Sequence, residues 1–136
     1  MINELIELMI RQEQDLKKLL ELFEIQHEMI LNKDLFGLEG IADSFNECGK
    51  KIAKEELERR NIIGENNILE VVNGSNNDKL KEVYGSIRDT LRNVLTQKET
   101  NELLLKQHIL FNTKMLNIMN PSRTAKTYTS YGNLSR

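Results

Sequence analysis

The chain has 136 residues with one proline, seven glycines and no tryptophan, and its wealth of Leu, Ile, Glu, Lys and Asn suits one domain of long helices and excludes extended sheet. The formal charge is −2, but positions 121–136 hold Arg123, Lys126 and Arg136 and no acid, so the residues before them carry −5. A body of that sign repels nucleic acid, and three tail cations give only weak, salt-sensitive attachment to phosphates or anionic lipid.

Cys48 is the one cysteine, which excludes an intrachain disulfide and fits a reducing, cytoplasmic compartment. At the N-terminus Ile2, Leu5, Ile6, Leu8, Met9 and Ile10 are interrupted by Glu4, Glu7 and Arg11, so no apolar signal-peptide core is expected there. No stretch reaches the roughly 18 apolar residues of a membrane span, so no membrane insertion is expected. The sequons at Asn73 and Asn133 are then accidents of an Asn-rich chain.

Between Ile2 and Leu31 there is neither Gly nor Pro, and every seventh residue is apolar: Ile2, Met9, Leu16, Phe23 and Ile30. This predicts a first long helix of about 45 Å at 1.5 Å per residue. Its companion column, Leu5, Gln12, Leu19 and Gln26, alternates apolar with amide, the mark of a coiled-coil seam with polar breaks. Asn32 and Asp34 then interrupt the pattern, with Asp34 placed to cap a second helix. That helix carries a stripe at Leu35, Leu38, Ile41, Phe45, Cys48 and Ile52, weakening at Leu57, among charged residues that include Glu55 and Glu56. A connection this short predicts antiparallel neighbours.

Gly64–Asn67 and Asn73–Asn77 are turn-rich, and Ile68, Leu69, Val71 and Val72 between them read as a short helical piece that covers a bundle end. Asp78 opens a third long run with Leu80, Tyr84, Ile87, Leu91, Val94 and Leu95 at helical spacing. Beyond Lys98 the expected seam positions hold Asn101, His108 and Asn112, while Leu103, Leu104, Leu105, Ile109, Leu110, Phe111, Met115, Leu116, Ile118 and Met119 spread around the helix. Such a segment needs more than one partner surface, either a second subunit or a bound protein. Asn101 and Asn112 fill polar gaps in the seam, with Gln12 or Gln26 as expected partners. Asn120 and Pro121 end the run. The expected fold is all-α, an elongated antiparallel bundle of three long helices with coiled-coil-like packing over 1–120, followed at 121–136 by a basic tail that is disordered when free.

No catalytic constellation is visible. His27–Glu28 opens a zinc-protease signature, but Leu31 stands where its second histidine belongs. His27, His108 and Cys48 fall in three different helical runs, so no metal site is expected, and no cofactor either, because no glycine-rich loop follows a strand. Glu55 and Glu56 read as residues of a solvated face rather than an acid–base pair.

The last third of the chain has a recognisable pattern. Asn101 precedes Leu103, Leu104 and Leu105; Asn112 follows about three turns on; and Thr127–Tyr128 precede Gly132. This pattern resembles the FlgN family of bacterial flagellar export chaperones, as do the Glu58–Arg59–Arg60 run, the length, the paired long helices and the basic tail. The resemblance implies a cytosolic protein that binds the helical C-termini of the two hook-filament junction proteins and delivers them to the export gate or its ATPase complex. Client-binding residues are then expected at Leu103, Leu104, Leu105, Leu110, Phe111, Met115 and Met119, by insertion of an amphipathic helix against an apolar surface.

In related flagellar chaperones a tail tyrosine contacts the export gate. The matching position is Tyr128, with Gly132 allowing a turn behind it, whereas Tyr131 departs from the commoner pattern. The alternatives from sequence are a structural coiled-coil homodimer without a client and a regulator that sequesters a transcription or secretion factor.

Overall fold

The computed structural model describes residues 1–119, the last ten of these by their backbone alone. Four helices follow one another: α1 (Ile2–Leu31), α2 (Leu35–Ile63), α3 (Ile68–Gly74) and α4 (Asp78–Met119). No strand occurs among the described residues. The chain divides into two units, Met1–Glu99 and a second that begins at Thr100. The expected tail, with Tyr128, Tyr131 and Gly132, lies outside the described residues.

The helix ends follow from local chemistry. At the α1–α2 connection the Gly37 N–H donates to Asp34 Oδ1 at 2.9 Å, satisfying one of the donors that a helix start leaves without an intrahelical partner. Lys33 takes a positive φ of 56° to make the reversal. Past Leu57, where the apolar stripe weakens, α2 runs on through Glu58–Arg59–Arg60 to Ile63 and stops at Gly64, whose φ of 64° is the left-handed conformation that glycine adopts without a Cβ penalty. Asn67 caps α3 by accepting from the Leu69 N–H at 2.8 Å, and Asn77 caps α4 by accepting from the Leu80 N–H at 3.0 Å.

Within the first unit, α1 and α2 run antiparallel. Arg11 pairs with Glu58, and the Phe23 and Phe45 rings meet at a centroid distance of 4.7 Å. The α4 segment up to Glu99 runs parallel to α1, since Glu13 bonds Ser86 and His27 faces Gln97. The core gathers where the start of α1, the end of α2, α3 and the start of α4 meet. Leu5, Met9, Ile63, Val72, Leu80 and Val83 are buried there, with Ile2, Ile6, Ile68, Val71, Tyr84 and Ile87 packed around them. The short helix therefore does cover a bundle end, placing Val72 in the core.

The predicted stripes are only partly buried. Met9, Leu16, Ile30, Ile41, Cys48, Leu80 and Val94 are inside, but Leu35 is 72% exposed and Leu91 and Leu95 are 42% and 50% exposed. A helix turns about 100° per residue, so in α4 the inward face is held by Val83, Thr90 and Val94, and positions 91 and 95 rotate away from it.

Leu5 is fully buried in the core cluster. Leu5→Ala is expected to lower unfolding free energy by about 2–5 kcal/mol, and Leu57→Ala, at an exposed site, by less than about 0.5 kcal/mol; urea denaturation of both variants checks the contrast.

Candidate functional site

The residues that sequence reasoning weighed for catalysis have structural surroundings. His27 is half-buried with Nδ1 3.4 Å from Gln97 Nε2, across α1 and α4. Cys48 is buried, and its thiol donates to the Asp15 carbonyl at 3.4 Å. Burial, reinforced by the Asp15 carboxylate, pushes this thiol up, which keeps it in the inert thiol form. Among the described residues no three His, Cys, Asp or Glu side chains cluster to hold a metal.

A pocket of about 90 Å³ opens beside Cys48, lined by Asp15, Lys18, Leu22, Ser44, Glu47 and Lys51. Sites for cofactors or drug-sized ligands run to about 300–1,000 Å³, so this one has room for water and little else.

Charged side chains do meet between α1 and α2. Gln12 is buried and its Nε2 donates to Glu56 Oε2 at 3.4 Å. Glu56 also accepts from Arg59 and lies 3.6 Å from Arg60 Nε, while Arg11 Nη2 reaches Glu58 Oε2 at 3.3 Å. Beside this network Glu55 is only 6% exposed, against the expectation of a solvated face. Its Oε1 and the Arg59 Nε are both buried without a hydrogen-bond partner. Burial, then a hydrogen bond with Asp15 and the charges of Asp15 and Glu58, push the Glu55 carboxyl up to about 7, with Arg11 opposing.

The arrangement is a proton-sharing carboxyl pair inside a helix interface. Its neighbour Cys48 is held in the thiol form by the same burial and carboxylate charge, and the direct consequence of the pair is for packing and its dependence on pH. One weak sign of it is legible in the spacing: Glu55 stands seven residues after Cys48, on the same helical column.

The exposed apolar surface of the second unit is different in kind. Leu103 is 59% and Ile109 46% exposed, and Leu104, Leu105 and His108 are half-buried. Asn101 is 1% exposed, so the amide expected at a seam position is indeed inside, and it is partnered. The side chains of Leu110, Phe111, Met115 and Met119 lie outside what the structure describes, although their backbone continues α4. Leu103 with Leu110, and Leu104 with Phe111, stand one heptad apart on that helix. A helix bearing large apolar side chains in water is a surface suited to covering by another helix.

A family model described as FlgN protein matches residues 1–136, the whole chain. No curated protein and no solved structure matches the chain significantly. No helix among the described residues is long and apolar enough to cross a membrane.

The Glu55 carboxyl yields a signed pH dependence. Its folded pKa lies above the ordinary value of 4.5, so the folded state holds the proton more tightly than the unfolded chain. The associated stability is full below about 4.5 and is lost as pH rises through about 7. Glu55→Gln, which keeps the shape of the protonated form, is expected to melt higher than the parent chain at pH 8 and to match it near pH 4. Calorimetry across that range reads the difference.

Proposed function

Since the chain belongs to the FlgN family of flagellar export chaperones, we propose that it binds the C-terminal helical segments of the hook-filament junction proteins in the cytosol through the second half of α4. The observation that carries this reading is the exposure of Leu103 and Ile109 on a helix whose next turns add Leu110, Phe111, Met115 and Met119. An amphipathic client helix laid along these residues covers apolar area on both sides, at about 25 cal/mol per Å² removed from water. Leu104 and Leu105, half-buried in the free chain, form the edge of the same surface.

Shielding of this kind requires no catalysis. The client stays unassembled because the helical face it would use for polymerisation is occupied, and it is released when another surface competes for it. Tyr128, with Gly132 behind it and Tyr131 beside it, is the proposed contact with the export gate or its ATPase complex. A chaperone that holds its client at one place and the gate at another raises their effective concentration by tethering.

The test is isothermal titration of the chain with the purified C-terminal segment of a hook-filament junction protein. Stoichiometric binding is expected both to the full chain and to a version ending at Asn120. Leu104→Glu and Phe111→Glu are each expected to weaken it by at least tenfold, about 1.4 kcal/mol. Unchanged affinity in both variants removes the client from this surface. Light scattering that shows a tight dimer with no client binding would turn the reading to a structural homodimer. Tyr128→Ala is expected to leave client affinity intact while reducing export of the client; equal loss of both would unite the two roles.

A further inference from the structure

The first turns of α4 carry a face whose charge is opposite to that of the chain. At about 100° per residue, Lys81, Tyr84, Arg88, Leu91, Arg92 and Leu95 fall within about 100° of arc, and the two acids of this stretch, Glu82 and Asp89, fall outside it. This is not the core face, which Leu80, Val83, Thr90 and Val94 occupy. Lys81, Arg88, Leu91, Arg92 and Leu95 are all exposed, with Tyr84 half-buried at the edge.

The other arginines of the first unit are matched within the chain, Arg11 by Glu58 and Arg59 and Arg60 by Glu56. Lys81, Arg88 and Arg92 enter no salt bridge among the described residues. In a chain with net charge −2, a basic strip that also leaves two leucines one turn apart in water is complementary to a ligand of defined chemistry. It fits carboxylates for the guanidinium forks, which bind them two hydrogen bonds at a time, and an apolar side for the leucines.

We propose that this strip docks an acidic amphipathic helix, whose apolar side covers Leu91 and Leu95 and whose flanking Asp or Glu side chains pair with Arg88 and Arg92. A phosphate polymer or an anionic bilayer satisfies the arginines but not the leucines, because two side chains are too few for the continuous apolar face of an interfacial helix. The −5 carried by the residues before 121 also opposes approach to an extended polyanion, whereas a short peptide meets only the local field within a Debye length of about 8–10 Å. The proposal is independent of the client reading: it concerns the Met1–Glu99 unit, and the residues assigned to the client follow Thr100.

Fluorescence anisotropy with the full chain tests it. The probe is a labelled synthetic peptide of about 18 residues, five helical turns, with leucines at three- and four-residue spacing and glutamates on both flanks. A second peptide has the same composition in scrambled order, and phosphatidylglycerol vesicles serve as the lipid arm. Saturable binding of the ordered peptide is expected, with the scrambled one at least tenfold weaker. The double variants Leu91→Ser/Leu95→Ser and Arg88→Gln/Arg92→Gln are each expected to lose at least tenfold, with only the second also losing most of the salt dependence. Circular dichroism is expected to be unchanged in both, since every altered side chain is exposed.

Equal affinity for the ordered and scrambled peptides overturns the proposal, as does a leucine double variant that binds like the parent. Either result reduces the strip to general charge attraction. Vesicle binding as strong as peptide binding, with the same arginine dependence, would assign the strip to lipid headgroups instead.

Discussion

Leu5 and Met9 from α1, Ile63 from α2, Val72 from α3 and Leu80 and Val83 from α4 share one apolar cluster, and the placement of the first unit depends on it. None of these helices has a reason to hold its position alone, because a helix in water gains most of its stability from the face it packs. The cluster brings together elements far apart in sequence, so it also fixes the direction of each: α2 must arrive where α1 began, and α4 must depart from the same end. Gly64 and the Asn67 and Asn77 caps serve this junction by letting the chain reverse twice within a short span without leaving helix-end donors unsatisfied.

From that end onward the interface of α1 with α2 changes character. Past the cluster polar contacts enter, with Gln12 on Glu56, Arg11 on Glu58 and Glu55 beside Asp15, and the buried Leu16 and Cys48 then lead to the Phe23–Phe45 pair. Burying charge without full pairing is costly, and replacing such a layer by well-packed apolar residues is often neutral or stabilising. Its effect here is to make register specific: sliding α2 along α1 by one turn would separate Arg11 from Glu58 and Gln12 from Glu56.

The long helices were legible in sequence because they rest on repetition: the heptad column of α1 and the Asp34 cap both stand where the pattern placed them. What periodicity does not carry is the width of the buried face. Leu91 and Leu95 keep helical spacing with Leu80 and Val94 yet lie outside, since spacing alone does not say which of two adjacent arcs a neighbouring helix covers. Glu55 was misread for a related reason, being a carboxylate among Lys, Glu and Arg whose position on the Cys48 column outweighed its residue type. Of the candidate surface, sequence revealed the apolar spread after Lys98 and the inward Asn101, while the grading from exposed Leu103 to half-buried Leu104 and Leu105 required coordinates.

The unequal distribution of apolar packing also sets an order of opening. Amides of α1 near Leu5 and Met9 are locked by a core that four helices share, so their exchange with solvent deuterium must wait for global unfolding. Those beyond the polar stretch, toward the Lys33 reversal where Leu35 and Phe36 are 72% and 88% exposed, are held by fewer buried groups and exchange through smaller, cheaper fluctuations. Within the first unit the hairpin tip is thus the place that loosens first, while the end where parts of all four helices gather remains closed.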